Sequence, residues 1–211
     1  MNANRIRLDD RARVGHGNLI IIDALIMCED SYIGHLNQLT GPFWTILRNN
    51  AGIGNQNKST RARRGVTWGR SMLKVGTWSK ITSKHIIDCT RSVVIDDYTT
   101  IAGQGSQIWT HGYLHSPHGL DRFRIDGKVR IGSNVYIGSS CVINAGIHVG
   151  NAITIGSMSC VSASLKTPGL YVNQPLRLVS LDYQKALNRH PKVKVRGLVE
   201  HVVNKRIGSG Q

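Results

Sequence analysis

An all-β chain wound as a parallel coil is predicted for these 211 residues, on three observations. Apolar residues recur at every sixth position over long stretches. A small or turn-forming residue follows most of them. The composition, with 23 Gly, suits short strands and tight turns and serves long helices poorly.

The period is clearest in the C-terminal half. Every sixth residue from Ile125 is aliphatic and β-branched: Ile125, Ile131, Ile137, Ile143, Val149, Ile155 and Val161. Gly132, Gly138, Gly150 and Gly156 follow four of them, with Asn144 and Ser162 elsewhere. The fifth position holds Val135, Cys141, Ile147, Ile153 and Ser159, which are small or β-branched. Six is neither the helix period nor the alternation of one amphipathic strand. It fits a chain that turns a corner every six residues, with the aliphatic residue inward under the next coil. Gly or Asn at the corner then predicts positive φ there. Three hexads close one triangular coil of about 18 residues, and stacked coils share one core. A β-sandwich would space its strands less regularly. A collagen-like chain needs Gly at every third position.

Upstream, the period runs with breaks. Val75, Ile81, Ile87 and Val93 are in register, then a two-residue slip leads to Ile95 and Ile101. Further back come Ile21, Met27, Ile33 and Leu39, and then Leu47 with Ile53. Two segments interrupt the repeat: residues 55–70, rich in Lys and Arg, and residues 111–124, rich in His. The coil domain is therefore drawn over residues 1–180, with these as loops. Residues 181–211 form a basic tail, in which Leu181–Arg189 is expected as a short helix ending before Pro191.

The hexads are followed by VNQPLRLV, and SQIWTHGYLH precedes the second interruption. On these motifs the sequence resembles the hexapeptide-repeat acyltransferases, the galactoside, maltose, serine and xenobiotic acetyltransferase group. It is most similar to members found with surface-polysaccharide enzymes. The likeness is strong over residues 75–177 and loose before them. The resemblance implies a left-handed parallel β-helix of hexapeptide repeats with an extended catalytic loop. It implies a homotrimer with acetyl-CoA along the groove between adjacent helices. It also implies transfer of an acetyl group to a sugar hydroxyl or, alternatively, to the amine of an amino-sugar nucleotide.

Site residues follow from the same likeness. His111 begins the loop where such enzymes carry their catalytic histidine. Tyr136 stands where galactoside acetyltransferases have Trp. Arg177 matches an Arg that approaches the CoA phosphates, and Ser162 a Thr at the adenine end. Ala163 departs from a Lys near the nucleotide, for which Lys166 is the candidate replacement, and Asn173-Gln174 departs from the usual pair. Ser139 and Ser157 are counted with these as cofactor contacts.

Acyl transfer from a thioester needs a base for the acceptor's proton, and histidine suits that at neutral pH. His111 is preferred at the loop root, where the coil fixes it. His115 is the second candidate, or an acceptor contact, and His118 after Pro117 is read as solvated. Trp109 is expected to pack at the loop root or line the acceptor site. Asp96 and Asp97 are read as corner caps, or as acceptor contacts beside the base. Asp88 is read as another corner residue. His85 and His148 are expected as outward, partly exposed rings, and Cys141 and Cys160 as inward small residues.

The formal net charge is +15, from 27 Lys+Arg against 12 Asp+Glu. Such a balance suits polyanionic partners: a phosphorylated cofactor, a nucleotide-sugar, or peripheral contact with an anionic membrane. Nucleic acid is disfavoured, because no recognition fold is visible and Trp68 and Trp78 form no stacking platform. The four cysteines form no CxxC pair, so a structural zinc site lacks support and no metal is expected. Leu19–Met27 contains Asp23 and is too short for a bilayer span, so a cytoplasmic protein is expected. Two other functions fit the coil. A γ-carbonic-anhydrase-like hydratase would need His85, His111 and His115 on a metal, and a non-catalytic scaffold would leave the WTHG loop without a task.

Overall fold

A computed structural model describes residues 2–173, 177–179, 192–195 and 198–201. Two compact units divide the chain after Leu178. The second contains an antiparallel pair, Lys192–Val195 with Leu198–His201. The expected helix Leu181–Arg189 lies outside the described residues.

The first unit is a parallel β-solenoid with three strand faces. Rungs lay a strand along each face, and every coil strand pairs in parallel with its equivalent one rung away. The first face carries Lys58–Thr60, Ile86–Asp88, Gln107–Ile108, Val142–Ile143 and Cys160–Val161. The second carries Met72–Val75, Val93–Ile95, Val129–Ile131 and His148–Val149. The third runs from Arg13–Val14 through Lys80–Ser83 and Thr100–Gln104 to Gly169–Val172. In the N-terminal rungs the strands Leu19–Met27 and Gln38–Leu47 continue from the first face onto the second.

In-register stacking explains the six-residue period. On the third face Val14, Ile33, Ile53, Ile81, Ile101, Ile137, Ile155 and Tyr171 form one column. On the second face Met27, Leu47, Val75, Ile95, Ile131 and Val149 do the same, and all are buried. Each such side chain contributes roughly 1.5–3 kcal/mol by leaving water. Two expected members differ. Ile21 faces outward, because the inward positions of its strand are Ile20 and Ile22. Ile125 is 56% exposed, because it lies in a hairpin outside the coil.

The corners correct the expected role of glycine. The glycine after each inward aliphatic residue has ordinary φ. Positive φ falls two residues later, on Asn134, Ser140, Ala152 and Met158. What the early position requires is closeness between rungs. A Cβ on Gly54 would lie 2.2 Å from the Thr82 carbonyl oxygen, and one on Gly132 2.3 Å from Asn151 Oδ1.

The residue after a positive-φ position packs inward: at some rungs it is apolar, as Ala51, Val135 and Ile153, and at one corner it forms a vertical hydrogen-bond ladder. There Asn18 Oδ1 accepts from Asn37 N at 2.8 Å, Asn37 Oδ1 from Asn57 N at 2.8 Å, and Asn57 Oδ1 from His85 N at 3.0 Å. His85 Nδ1 accepts from Ser106 N at 3.1 Å, which leaves Nε2–H to donate to Thr82 Oγ1 at 3.0 Å. His85 is therefore buried, at 1% exposure, and not an outward ring: it stands where the rungs below carry Asn. Cys141 is buried, but Cys160 is exposed because it takes an outward strand position.

Two excursions leave the coil at the corner between the first and second faces. The first begins at Arg61, since Lys58–Thr60 still forms a rung. The second is a β-hairpin, His111–His115 against Arg122–Asp126.

Two stability predictions follow from the corners. Gly54→Ala is expected to lower the thermal midpoint markedly. Ala152→Gly, which relieves φ of 54°, is expected to stabilise by about 1 kcal/mol in chemical denaturation. Burial also pushes the His85 imidazole down to about 4. Unfolded histidine takes up its proton near pH ~6.5, so stability is lost as pH falls from there toward about 4. The urea midpoint is expected to drop by the equivalent of about 2–3 kcal/mol between about pH 7.5 and 4.5 from this group. His85→Asn, which extends the ladder's own chemistry, is expected to remove that part of the drop.

Candidate active site

Asp88 ends a first-face strand, and the next rung places Ile108 over Ile87. The following residues, Trp109 and Thr110, lead into the hairpin whose first residue is His111. Rung stacking therefore sets the hairpin root directly on Asp88. Asp88 Oδ2 accepts from Thr110 N at 2.9 Å and Thr110 Oγ1 at 2.7 Å, and Oδ1 accepts from Thr90 N at 3.0 Å. His111 Nδ1 stands 2.7 Å from the same Oδ2.

The electrostatics of this pair are legible from its partners. Burial pushes the Asp88 carboxyl up, but hydrogen bonds from Thr110, His111 and Thr90 outweigh it and hold it below the usual carboxylate range. An ionised carboxylate accepts only, so the His111 Nδ1 must carry the donated hydrogen. Nε2 is then the nitrogen with a lone pair, and among the described residues it has no protein partner.

His111 lines a pocket of about 410 Å³ together with Asp88, Thr90, Trp109, Tyr113 and Arg124. The floor is the first face, through Lys58, Thr60 and Ile86, and the first excursion supplies Ala62 and Val66. The hairpin wall is braced from its own side. Arg124 Nε meets Asp126 Oδ1 at 2.7 Å, Arg91 reaches Asp126 Oδ2 at 3.4 Å, and Arg122 lies 4.3 Å from the Tyr113 ring centre. Tyr113 meets the His111 ring edge-on at 5.9 Å.

Of the residues expected at the site, His111 and Trp109 line this pocket. His115 is exposed farther along the hairpin strand, paired with Arg122, and His118 lies in its tip. Asp96 and Asp97 sit at a different corner, between the second and third faces. There Asp96 pairs with Arg130 at 2.9 Å and Asp97 Oδ1 accepts from Thr77 N at 2.7 Å. Tyr136 is exposed on the third face. Ser139 and Ser157 occupy the next corner, Ser162 follows the last first-face strand, and Lys166 lies near Gly150. None of these lines the His111 pocket. Arg177 begins a strand, and its side chain lies outside the described residues.

The three histidines of the hydratase reading do not converge. His85 is bound inside the ladder, His111 is on Asp88, and His115 is on the hairpin. Among the described residues no group of three or more His, Cys, Asp or Glu is placed to hold a metal ion. Among the described residues no helix is long and apolar enough to cross a membrane.

The sequence reading missed Asp88 as the partner of His111. A signal was present in the rung register, but a β-bulge after Ile101 makes Ile108 the next aliphatic residue of the inward columns, seven positions on. Counting by six loses the rung there, and Asp88 falls out of line with the loop above it. Thr110, Tyr113 and Arg124 carry no periodic signal, because the hairpin is not part of the coil.

No protein-family model matches this sequence, and no curated protein matches it. Among solved structures it is similar to a hexapeptide-repeat-containing acetyltransferase from Vibrio cholerae, at 22% identity and a TM-score of 0.45, over 51% of this chain and 61% of that one. It is similar to the polySia-specific acetyltransferase NeuO, at 18% identity and 0.49, over 96% and 91%. It is also similar to AntD, an N-acyltransferase from Bacillus cereus in complex with dTDP and 3-hydroxybutyryl-CoA, at 18% identity and 0.40, over 83% and 86%.

Proposed function

We propose that this chain is an acyl-CoA-dependent acyltransferase in which His111 is the general base and Asp88 orients it. The observation that carries the reading is the 2.7 Å contact of His111 Nδ1 with the buried Asp88 carboxylate at the mouth of a pocket. Holding Nδ1–H on a carboxylate presents Nε2 as a proton acceptor and stabilises the imidazolium that forms. No Ser or Cys nucleophile is required for direct transfer.

The donor substrate, an acyl thioester, supplies an electrophilic carbonyl. This chain's residues do the rest. His111 Nε2 takes the proton from an acceptor hydroxyl or amine as that atom attacks, and afterwards delivers it to the departing sulfur. Ile86, Val66 and Trp109 give the pocket apolar walls that suit a thioester arm and keep bulk water from the base. Lys58 adds a positive charge for anionic groups of either substrate. The acetyl group is the expected acyl unit, and a sugar hydroxyl of a surface polysaccharide or its precursor is the favoured acceptor. A homotrimer, with Tyr136, Ser139, Ser157, Ser162, Lys166 and Arg177 toward the cofactor, is part of the same proposal.

The test begins with calorimetric titration of acetyl-CoA, followed by thiol release with a panel of sugars and amino-sugar nucleotides. His111→Ala is expected to lower turnover by about 10²–10⁴-fold with acetyl-CoA affinity retained. Asp88→Asn, which replaces one accepting oxygen by an NH2 donor and removes the charge that stabilises the imidazolium, is expected to lose about 10²-fold or more in kcat while KM for the donor holds. A folded protein that fails to bind acetyl-CoA at millimolar concentration, or a His111→Ala protein with full turnover, overturns the proposal. Products identified by mass spectrometry decide between O- and N-acylation.

A further inference from the structure

A second pocket, of about 440 Å³, opens beside the first excursion. Its walls include Arg61, Arg64, Arg70, Asp23, Trp44 and Trp68. Three guanidinium groups thus face one carboxylate, and that carboxylate is engaged: Arg64 Nη2 meets Asp23 Oδ2 at 2.8 Å. Arg70 has no carboxylate partner among the described residues.

Arg61 is the unusual member. It is only 8% exposed. Its Nη1 donates to the Pro42 carbonyl at 2.6 Å, and its Nη2 to those of Trp68 at 3.0 Å and Gly69 at 2.8 Å. Nε is buried and has no hydrogen-bond acceptor. Neutral carbonyls orient this cation without cancelling its charge, and guanidinium does not shed its proton in proteins. Burying a cation is costly, Asp23 offsets that only in part because it is already paired with Arg64, and an N–H without an acceptor adds to the cost. An anion in the pocket would relieve the first cost and gain forked hydrogen bonds from Arg64 and Arg70.

The aromatic walls narrow the class of ligand. Trp68 is 62% exposed, and Arg124 of the hairpin lies 5.4 Å from its ring centre. Broad indole faces beside guanidinium forks suit a pyranose ring that carries an acidic group. The apolar C–H face of the sugar packs on the ring, and the acid meets the forks. The segment that walls this pocket also walls the first: Arg61, Arg64, Thr67 and Trp68 face one, Ala62 and Val66 the other.

We propose that this second pocket binds the acidic group, a carboxylate or a phosphate, of a carbohydrate acceptor that extends into the His111 pocket. The binding half stands on the pocket alone, whereas the word acceptor rests on the transferase reading. The site also gives the basic excursion a task besides solvation.

Binding is read by calorimetry, with the intrinsic fluorescence of the chain, to which Trp44 and Trp68 contribute, alongside. The probes are trigalacturonate for carboxylate, glucose 6-phosphate for phosphate, and maltotriose as the neutral control. Saturable binding of at least one acidic probe, weakened about tenfold by Arg64→Gln and again by Arg70→Gln, is expected, with maltotriose far weaker. Both variants change exposed side chains, so the fold is retained; Arg61→Met is compared only after its circular dichroism matches the parent. The preferred acidic probe identifies the source of the anion. Equal binding of neutral and acidic probes, no binding of either acidic probe at millimolar concentration, or no effect of the two Arg variants overturns the site. Loss of acidic-sugar binding in a protein that still binds acetyl-CoA sinks this site and spares the transferase reading. Acidic-sugar binding without any acetyl-CoA binding does the reverse.

Discussion

Each rung of this solenoid lies in register on its neighbour, and that constraint governs every other feature. Parallel pairing sets equivalent residues about one strand spacing apart. The inward position must then be aliphatic on every rung, so that the column packs without voids. The corner must let two backbones approach, which excludes a Cβ at Gly54 and Gly132. The residue after the positive-φ position packs inward, and at one corner it also accepts the backbone N–H of the rung above. Asn18, Asn37, Asn57 and His85 do so with one repeated hydrogen-bond pattern.

The same register builds the candidate site. Asp88 sits at a rung position, so its carboxylate is as well determined as the core. The hairpin root is one rung above it. Thr110 ties the two rungs by donating twice to Asp88 and accepting from Arg91 N at 2.9 Å. His111 is thus held at the boundary between a rigid coil and a projecting hairpin. The coil side fixes the imidazole, and the hairpin side, through Tyr113 and Arg124, closes the pocket. Under the proposed chemistry this division suits a base that must not move beside an acceptor region that can vary.

Both excursions leave at the same corner, and this explains why two pockets share one wall. A corner insertion disturbs no ladder bond if the strands on either side keep their partners. Here Lys58–Thr60 and Met72–Val75 both remain paired, as do Gln107–Ile108 and Val129–Ile131. Long segments of polar and basic residues therefore cost the coil little, and they carry most of the side chains that face the pockets.

The sequence by itself determined the parallel coil, its inward columns and the location of the projecting loop at His111. Those follow from a local period, and stacking repeats the same local demand on every rung. It misread the corners, because hexad spacing does not say whether a glycine answers to φ or to a neighbouring backbone. It placed His85 outside, because only the Asn ladder beneath it reveals that the position points in. The partner of His111 was decided by the tertiary structure. Asp88 and His111 are 23 residues apart, and the β-bulge after Ile101 shifts the count that would have aligned them. The charge of the first excursion was legible as composition. That Arg61 is buried on neutral carbonyls, while Arg64 holds Asp23, depends on how an irregular loop folds against the coil, and no period encodes that.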